Sequence, residues 1–226
     1  MKTFTGVLAG TLLVAGGASA GQFYAGGSVS YSSIDVTAKE FDISGASPSF
    51  NDYTIDANMD GFGFGGVVGW RTSPSEGLGF GVETRLEWAS ISTDTFFLND
   101  GVTDTDYLLE YEVGWQAGLR AYGTYDLGPV TLVGGLDYSL LHVTTDVYAN
   151  GSRTDSESID DLLTGLGGFV GVERAFTEKL IGRLELSYVD YDAFAVRAKI
   201  TDYDGAYDDE YDYEQATLRL VFIYGF

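Results

Sequence analysis

Leu218-Arg219-Leu220-Val221-Phe222-Ile223-Tyr224-Gly225-Phe226 closes the chain and decides how it folds. Side chains of an extended strand alternate between two faces with period two. Leu218, Leu220, Phe222, Tyr224 and Phe226 therefore share one face, which is wholly apolar or aromatic. Arg219 falls on the other. A strand of this kind suits a wall between lipid and a wet interior.

Seven earlier segments alternate in the same way. Gln22–Val36 places Phe23, Ala25, Val29 and Tyr31 on one face. Asp60–Arg71 sets Phe62, Phe64, Val68 and Trp70 against Gly61, Gly63, Gly65, Val67 and Gly69. Leu78–Ser92 sets Leu78, Phe80, Val82, Leu86 and Trp88 against Glu83, Arg85 and Glu87. Leu108–Tyr122 sets Leu109, Tyr111, Val113, Trp115, Ala117 and Leu119 against Glu110, Glu112, Gln116 and Arg120. Val130–Val143 sets Val130, Leu132, Leu136, Tyr138 and Leu140 against Thr131, Asp137 and Ser139. Leu162–Glu173 sets Leu162, Leu166, Val170 and Val172 against glycines and Glu173, and Leu180–Tyr191 sets Leu184, Leu186 and Tyr188 against Arg183, Glu185 and Ser187. The prolines, Pro48, Pro74 and Pro129, stand outside all of these segments, as they must where each strand has two paired neighbours.

The connections alternate between short and long. Thr72–Gly77, Gly123–Pro129 and Arg174–Lys179 are short and turn-like. Thr37–Ala57, Thr93–Tyr107, Thr144–Asp161 and Asp192–Glu214 are long, polar and read as loops. They hold 21 of the 34 acidic residues and only 4 of the 12 Lys and Arg, which locates most of the net charge of −22. A nucleic-acid partner is disfavoured, because phosphate binding needs basic patches.

Met1-Lys2, an apolar run from Phe4 to Ala15 and the small-residue site Ala18-Ser19-Ala20 read as a secretory signal peptide over residues 1–20. The run is shorter than the roughly 20 residues of a membrane-spanning helix. With no Cys in the chain, neither a lipoprotein anchor nor a disulfide is available. Residues 21–226 form one domain.

The expected fold is all-β: an eight-stranded antiparallel up-and-down barrel with short turns at one end and four long loops at the other. Periodicity alone does not separate a membrane barrel from a soluble one with its apolar face inward. The signal segment and the terminal Phe favour lipid outside. Phe222, Tyr224 and Phe226 resemble the sorting signal of bacterial outer-membrane barrels. With the Ala18-Ser19-Ala20 site and the eight alternating segments, the whole mature chain resembles the small eight-stranded outer-membrane proteins, the group of OmpX, OmpW and the OmpA barrel domain. That resemblance implies an outer-membrane location and short turns in the periplasm. It also implies partners: outer-membrane lipid, lipopolysaccharide, the barrel-assembly machinery and a surface ligand at the external loops. A monomer is the default.

Glu83, Arg85, Glu87, Glu110, Glu112, Arg120, Asp137, Glu173, Arg183, Glu185 and Arg219 share the inward parity. An eight-stranded barrel is only just wide enough for its own side chains. These charges are therefore read as a plug of ion pairs, with a narrow cation-favouring, porin-like channel as the alternative. An outer-membrane enzyme comes third, because the only His, His142, has outward parity while Ser139 and Asp137 point inward. No phosphate loop or zinc-ligand pattern appears, and no catalytic residue or cofactor is expected. The last long stretch carries Asp202, Asp204, Asp208, Asp209, Glu210 and Asp212, hard oxygen ligands suited to calcium or magnesium. Asp202-Tyr203-Asp204-Gly205 half-matches a calcium loop, and no metal is firmly assigned. The expected role is non-enzymatic, structural or surface-interacting.

Overall fold

A computed structural model of the chain describes residues 21–42, 53–72, 77–99, 102–149, 152–191 and 207–226. The signal segment, residues 1–20, lies outside them. Eight strands follow in order: β1 (Gly21–Asp42), β2 (Tyr53–Thr72), β3 (Leu78–Asn99), β4 (Val102–Asp126), β5 (Thr131–Ala149), β6 (Ser152–Ala175), β7 (Leu180–Tyr191) and β8 (Tyr207–Gly225). Each pairs antiparallel with its sequence neighbours, and β8 pairs with β1 to close the barrel. Closure leaves no sheet edge to be satisfied by lipid. It is locked at the terminus, where the Phe226 amide donates to the Phe23 carbonyl at 3.0 Å and the Gly225 amide to that of Lys179 at 2.9 Å.

The turn between β4 and β5 is built by Gly128, whose φ of 92° is one that residues with a Cβ rarely adopt. Its amide donates to Asp126 Oδ1 at 2.8 Å. Gly123 to Asp126, read in the sequence as part of this turn, are strand.

The long polar stretches are corrected more substantially. Thr93–Tyr107 and Thr144–Asp161 are almost entirely strand, and the other two stretches carry strand at their described ends. Only residues 100–101 separate β3 from β4, and only 150–151 separate β5 from β6. Thr, Tyr, Phe and Val recur in these stretches, and their strand preference outweighs the acid between them. Seven of the strands are 19 to 25 residues long, and β7 has 12. A tilted strand crosses a bilayer in roughly 9–11 residues. The wall therefore continues well beyond the membrane on the side away from the short turns.

The polarity of the wall inverts along its height. Toward the short turns, the outward face is apolar: Phe64, Phe80, Leu136, Leu166, Val170, Leu184, Leu220 and Phe222 are exposed. This band ends in aromatics. Tyr31 meets Phe62 edge-on at 5.2 Å, Phe64 stacks on Trp88 at 6.1 Å, and Trp115 stacks on His142 at 5.6 Å. Above it, the exposed outward residues include Asp35, Asn58, Asp60, Asp94, Glu112, Asp160, Asp190, Asp212 and Glu214. The inward residues there are apolar or aromatic and buried, among them Ile34, Val36, Met59, Ile91, Val143, Leu163 and Tyr191.

Strand β4 makes this switch through a bulge. Trp115 pairs with His142 and Val113 with Val143, so Gly114 is one residue too many on β4. One extra residue exchanges the two faces beyond it. Below the bulge Gln116 and Arg120 are buried inside; above it Tyr111 and Val113 are.

Candidate functional site

The outer part of the interior is the apolar cluster just described. Beneath it, toward the short turns, charged side chains are interleaved with a second apolar cluster of Tyr24, Val67, Tyr122, Val133, Phe169, Val221 and Ile223. Val67 pairs with Arg85 and Val221 with Arg183, and the Arg120 guanidinium lies 4.3 Å over the Phe169 ring.

Nine of the eleven expected lumen charges are buried there: Glu83, Arg85, Glu87, Arg120, Asp137, Glu173, Arg183, Glu185 and Arg219. Glu110 and Glu112 are not. They stand on the opposite parity to buried Tyr111 and Val113, half-buried and exposed respectively. The Gly114 bulge is the reason. In the sequence, Leu109 to Leu119 alternate without a break, and nothing in that pattern marks where the faces change.

Strand register places opposite charges side by side. Glu83 faces Arg120, Arg120 faces Asp137, Glu173 faces Arg183, and Glu185 faces Arg219. Side chains then reach across the lumen. Arg183 Nη2 donates to Glu83 Oε2 at 2.6 Å, and Arg120 Nε to Asp137 Oδ2 at 2.8 Å. Glu185 Oε1 accepts from Arg120 Nη1 at 2.6 Å and from Arg219 Nη1 at 2.7 Å. Arg219 Nε donates to Glu87 Oε2 at 2.9 Å. The other oxygen of Glu87 accepts from Gln116 Nε2 at 2.7 Å and from the Ser30 hydroxyl.

Arg71 joins from β2, donating through Nη1 to Glu173 Oε2 at 2.9 Å, and Glu173 Oε1 lies 3.2 Å from Arg183 Nε. The result is one connected network of five arginines and five carboxylates. Strand β1 contributes Ser30 and Tyr24; the Tyr24 hydroxyl donates to Glu83 Oε2 at 2.8 Å and meets the Tyr122 hydroxyl at 2.8 Å. Arg71 carries the same parity as the inward glycines of β2, so its place was legible. Tyr24, Ser30 and Gln116 also had inward parity, but uncharged polar residues in a strand announce nothing by themselves.

Glycine makes the network fit. A Cβ on Gly63 would come within 2.6 Å of Glu87 Oε1 and 2.7 Å of Ser30 Oγ. One on Gly118 would lie 2.7 Å from Arg85 Nε and 3.0 Å from Asp137 Oδ1.

Ser139 is held inside this network. Its hydroxyl accepts from Arg85 Nη2 at 2.6 Å and donates to Asp137 Oδ1 at 2.9 Å. His142 lies on the other face of β5, against Trp115. Phe222, Tyr224 and Phe226 are exposed on the outer face. Of the candidate cation ligands, Asp202 and Asp204 lie outside the described residues. Asp208, Asp209 and Glu210 belong to β8, which pairs there with β1, and Asp212 is exposed.

Comparison with known proteins follows the same lines. The family model for the outer membrane protein beta-barrel domain matches residues 3–226. No curated protein matches the chain. Among solved structures, the chain is similar to the outer membrane protease OmpT of Escherichia coli, at 11% identity and a TM-score of 0.50, over 91% of this chain and 97% of that one. It is similar to the outer membrane protein OprG of Pseudomonas aeruginosa, at 11% identity and a TM-score of 0.49, over 93% and 98% of the two chains. A third is Ail, the attachment invasion locus protein of Yersinia pestis, at 11% identity and a TM-score of 0.40, over 90% and 99%. At such identities the likeness concerns the fold alone.

Proposed function

Since this chain belongs to the outer-membrane protein β-barrel domain family and is a protein of the bacterial outer membrane, its lumen is what bears on its role, and we propose that it is a non-enzymatic barrel with a plugged interior and an envelope-structural or surface-interacting role. The observation that carries this reading is the filled interior. A charged lumen alone could hold water and pass small ions. This one is interleaved with one cluster of buried apolar side chains and is covered, on the side away from the short turns, by another. Ions avoid apolar surroundings, where burying a bare charge costs many kcal/mol.

A non-enzymatic role is supported by how the reactive side chains are used. Ser139 is committed to Arg85 and Asp137, and His142 is on the far face. The acidic outer wall, from Asp35 around to Glu214, is the surface this reading offers to other molecules. Lipopolysaccharide is anionic, so contact between it and this wall, or with the acids Asp202, Asp204, Asp208, Asp209, Glu210 and Asp212, would need bridging divalent cations. The exposed Phe222, Tyr224 and Phe226 are the proposed signal for the barrel-assembly machinery.

Planar-bilayer recording tests the plug. Purified barrel should add no steps above leak at neutral pH. Large, stable, ion-selective steps would move the reading to a porin-like channel.

A further inference from the structure

Arg85 is the least well served member of the charged network. It is 3% exposed, so water outside the barrel does not reach it. Its Nη2 donates to Ser139 Oγ and lies 3.4 Å from Asp137 Oδ2. That oxygen already accepts from Arg120 Nε at 2.8 Å. Among the described residues, Nε and Nη1 of Arg85 have no hydrogen-bond partner. Nη2 of Arg219, on a residue 1% exposed, has none among them either. The charges that bear on Arg85 are those of Arg219, Arg120, Asp137 and Glu87. Both anions are already committed, Asp137 to Arg120 and Glu87 to Arg219.

An arginine has only donors and keeps its charge at any ordinary pH. Donors of this kind, buried without acceptors, call for an acceptor, and their charge-assisted bonds are strongest to an anion. An eight-stranded barrel is only just wide enough for its own side chains, which leaves no place for a large organic acid. We propose that one small inorganic anion, of the size and charge of chloride, is held between Arg85 and Arg219 inside the lumen. It balances the end of the network where two arginines share Asp137. This goes beyond the plug reading and does not require that the ion be conducted.

Two measurements on the folded protein in detergent test it. A ligand that binds only the folded state raises its stability by mass action. The urea midpoint of the unaltered barrel should therefore rise with sodium chloride or bromide, compared with sodium gluconate at equal ionic strength. The Arg85→Met variant should lose that difference. An equal rise in both proteins would be a general salt effect and would overturn the proposal. Where the variant does not fold, the unaltered protein decides. Crystals grown in bromide should show an anomalous peak within hydrogen-bond reach of Arg85 Nη1 and Arg219 Nη2. No peak there would overturn the proposal and assign those N–H groups to water.

Discussion

Arg120 and Arg219 converge on a single oxygen, Glu185 Oε1, at 2.6 and 2.7 Å. They come from β4 and β8, which are not neighbours in the sheet. Glu185 thus ties opposite parts of the wall together across the lumen. Its other oxygen lies 3.4 Å from Arg183 Nη1.

Removing that carboxylate should be the most damaging single change in the network. Glu185→Ala leaves three buried arginines short of a partner, and it should cost about 3–5 kcal/mol, the range for breaking a buried pair. Urea unfolding in lipid vesicles measures it. Adding Arg219→Met should cost less than the sum of the two single changes, because they share one bond network.

The glycine positions separate a packed lumen from an open one. Gly118→Ala should overpack the lumen beside Arg85 and Asp137, at a cost of about 1–3 kcal/mol. Gly27 is the control, since a Cβ there finds its nearest heavy atom at 3.9 Å. Gly27→Ala should change stability by no more than about 0.5 kcal/mol. Equal effects would mean that the lumen has room to spare.

The inversion of polarity predicts unequal responses to arginine on the same outer face. Leu184 is exposed in the apolar band, and Leu184→Arg should cost roughly 2–4 kcal/mol if it lies near the bilayer midplane. Glu112 is exposed above the band, and Glu112→Arg should stay within about 0.5 kcal/mol. Both are read from unfolding in the same vesicles.

Most of the barrel was legible in the sequence because alternation reports the two faces directly. β7 was bounded at Leu180–Tyr191, as found, and Arg219 lies inside while Leu218 and Leu220 lie outside. Alternation does not report what a face touches. On β5 the inward series passes from Asp137 and Ser139 to Leu141 and Val143. That change, from polar to apolar inside, accompanies the change from apolar to acidic outside, and it is written in the residues. The bulge at Gly114 is not. The alternation from Leu109 to Leu119 runs straight through it, so Glu110 and Glu112 carried an inward reading that the pairing of Val113 with Val143 reverses. Register belongs to two strands together, and one strand's pattern does not contain it.

The central claim is that the lumen is dry and filled by its own side chains, with an apolar cluster covering the charge on the side away from the short turns. The chain has no cysteine of its own, so single replacements can be probed cleanly. Val143 lies in the outer apolar cluster, Val221 beside Arg183 in the cluster nearer the short turns, and Asp212 on the exposed outer wall. In folded barrel a small water-soluble maleimide should label the Asp212→Cys variant within minutes. It should leave the Val143→Cys and Val221→Cys variants unlabelled until urea unfolds them. Labelling of the folded Val143→Cys and Val221→Cys variants as fast as the folded Asp212→Cys variant would contradict the account, because it would mean that water fills the barrel from end to end.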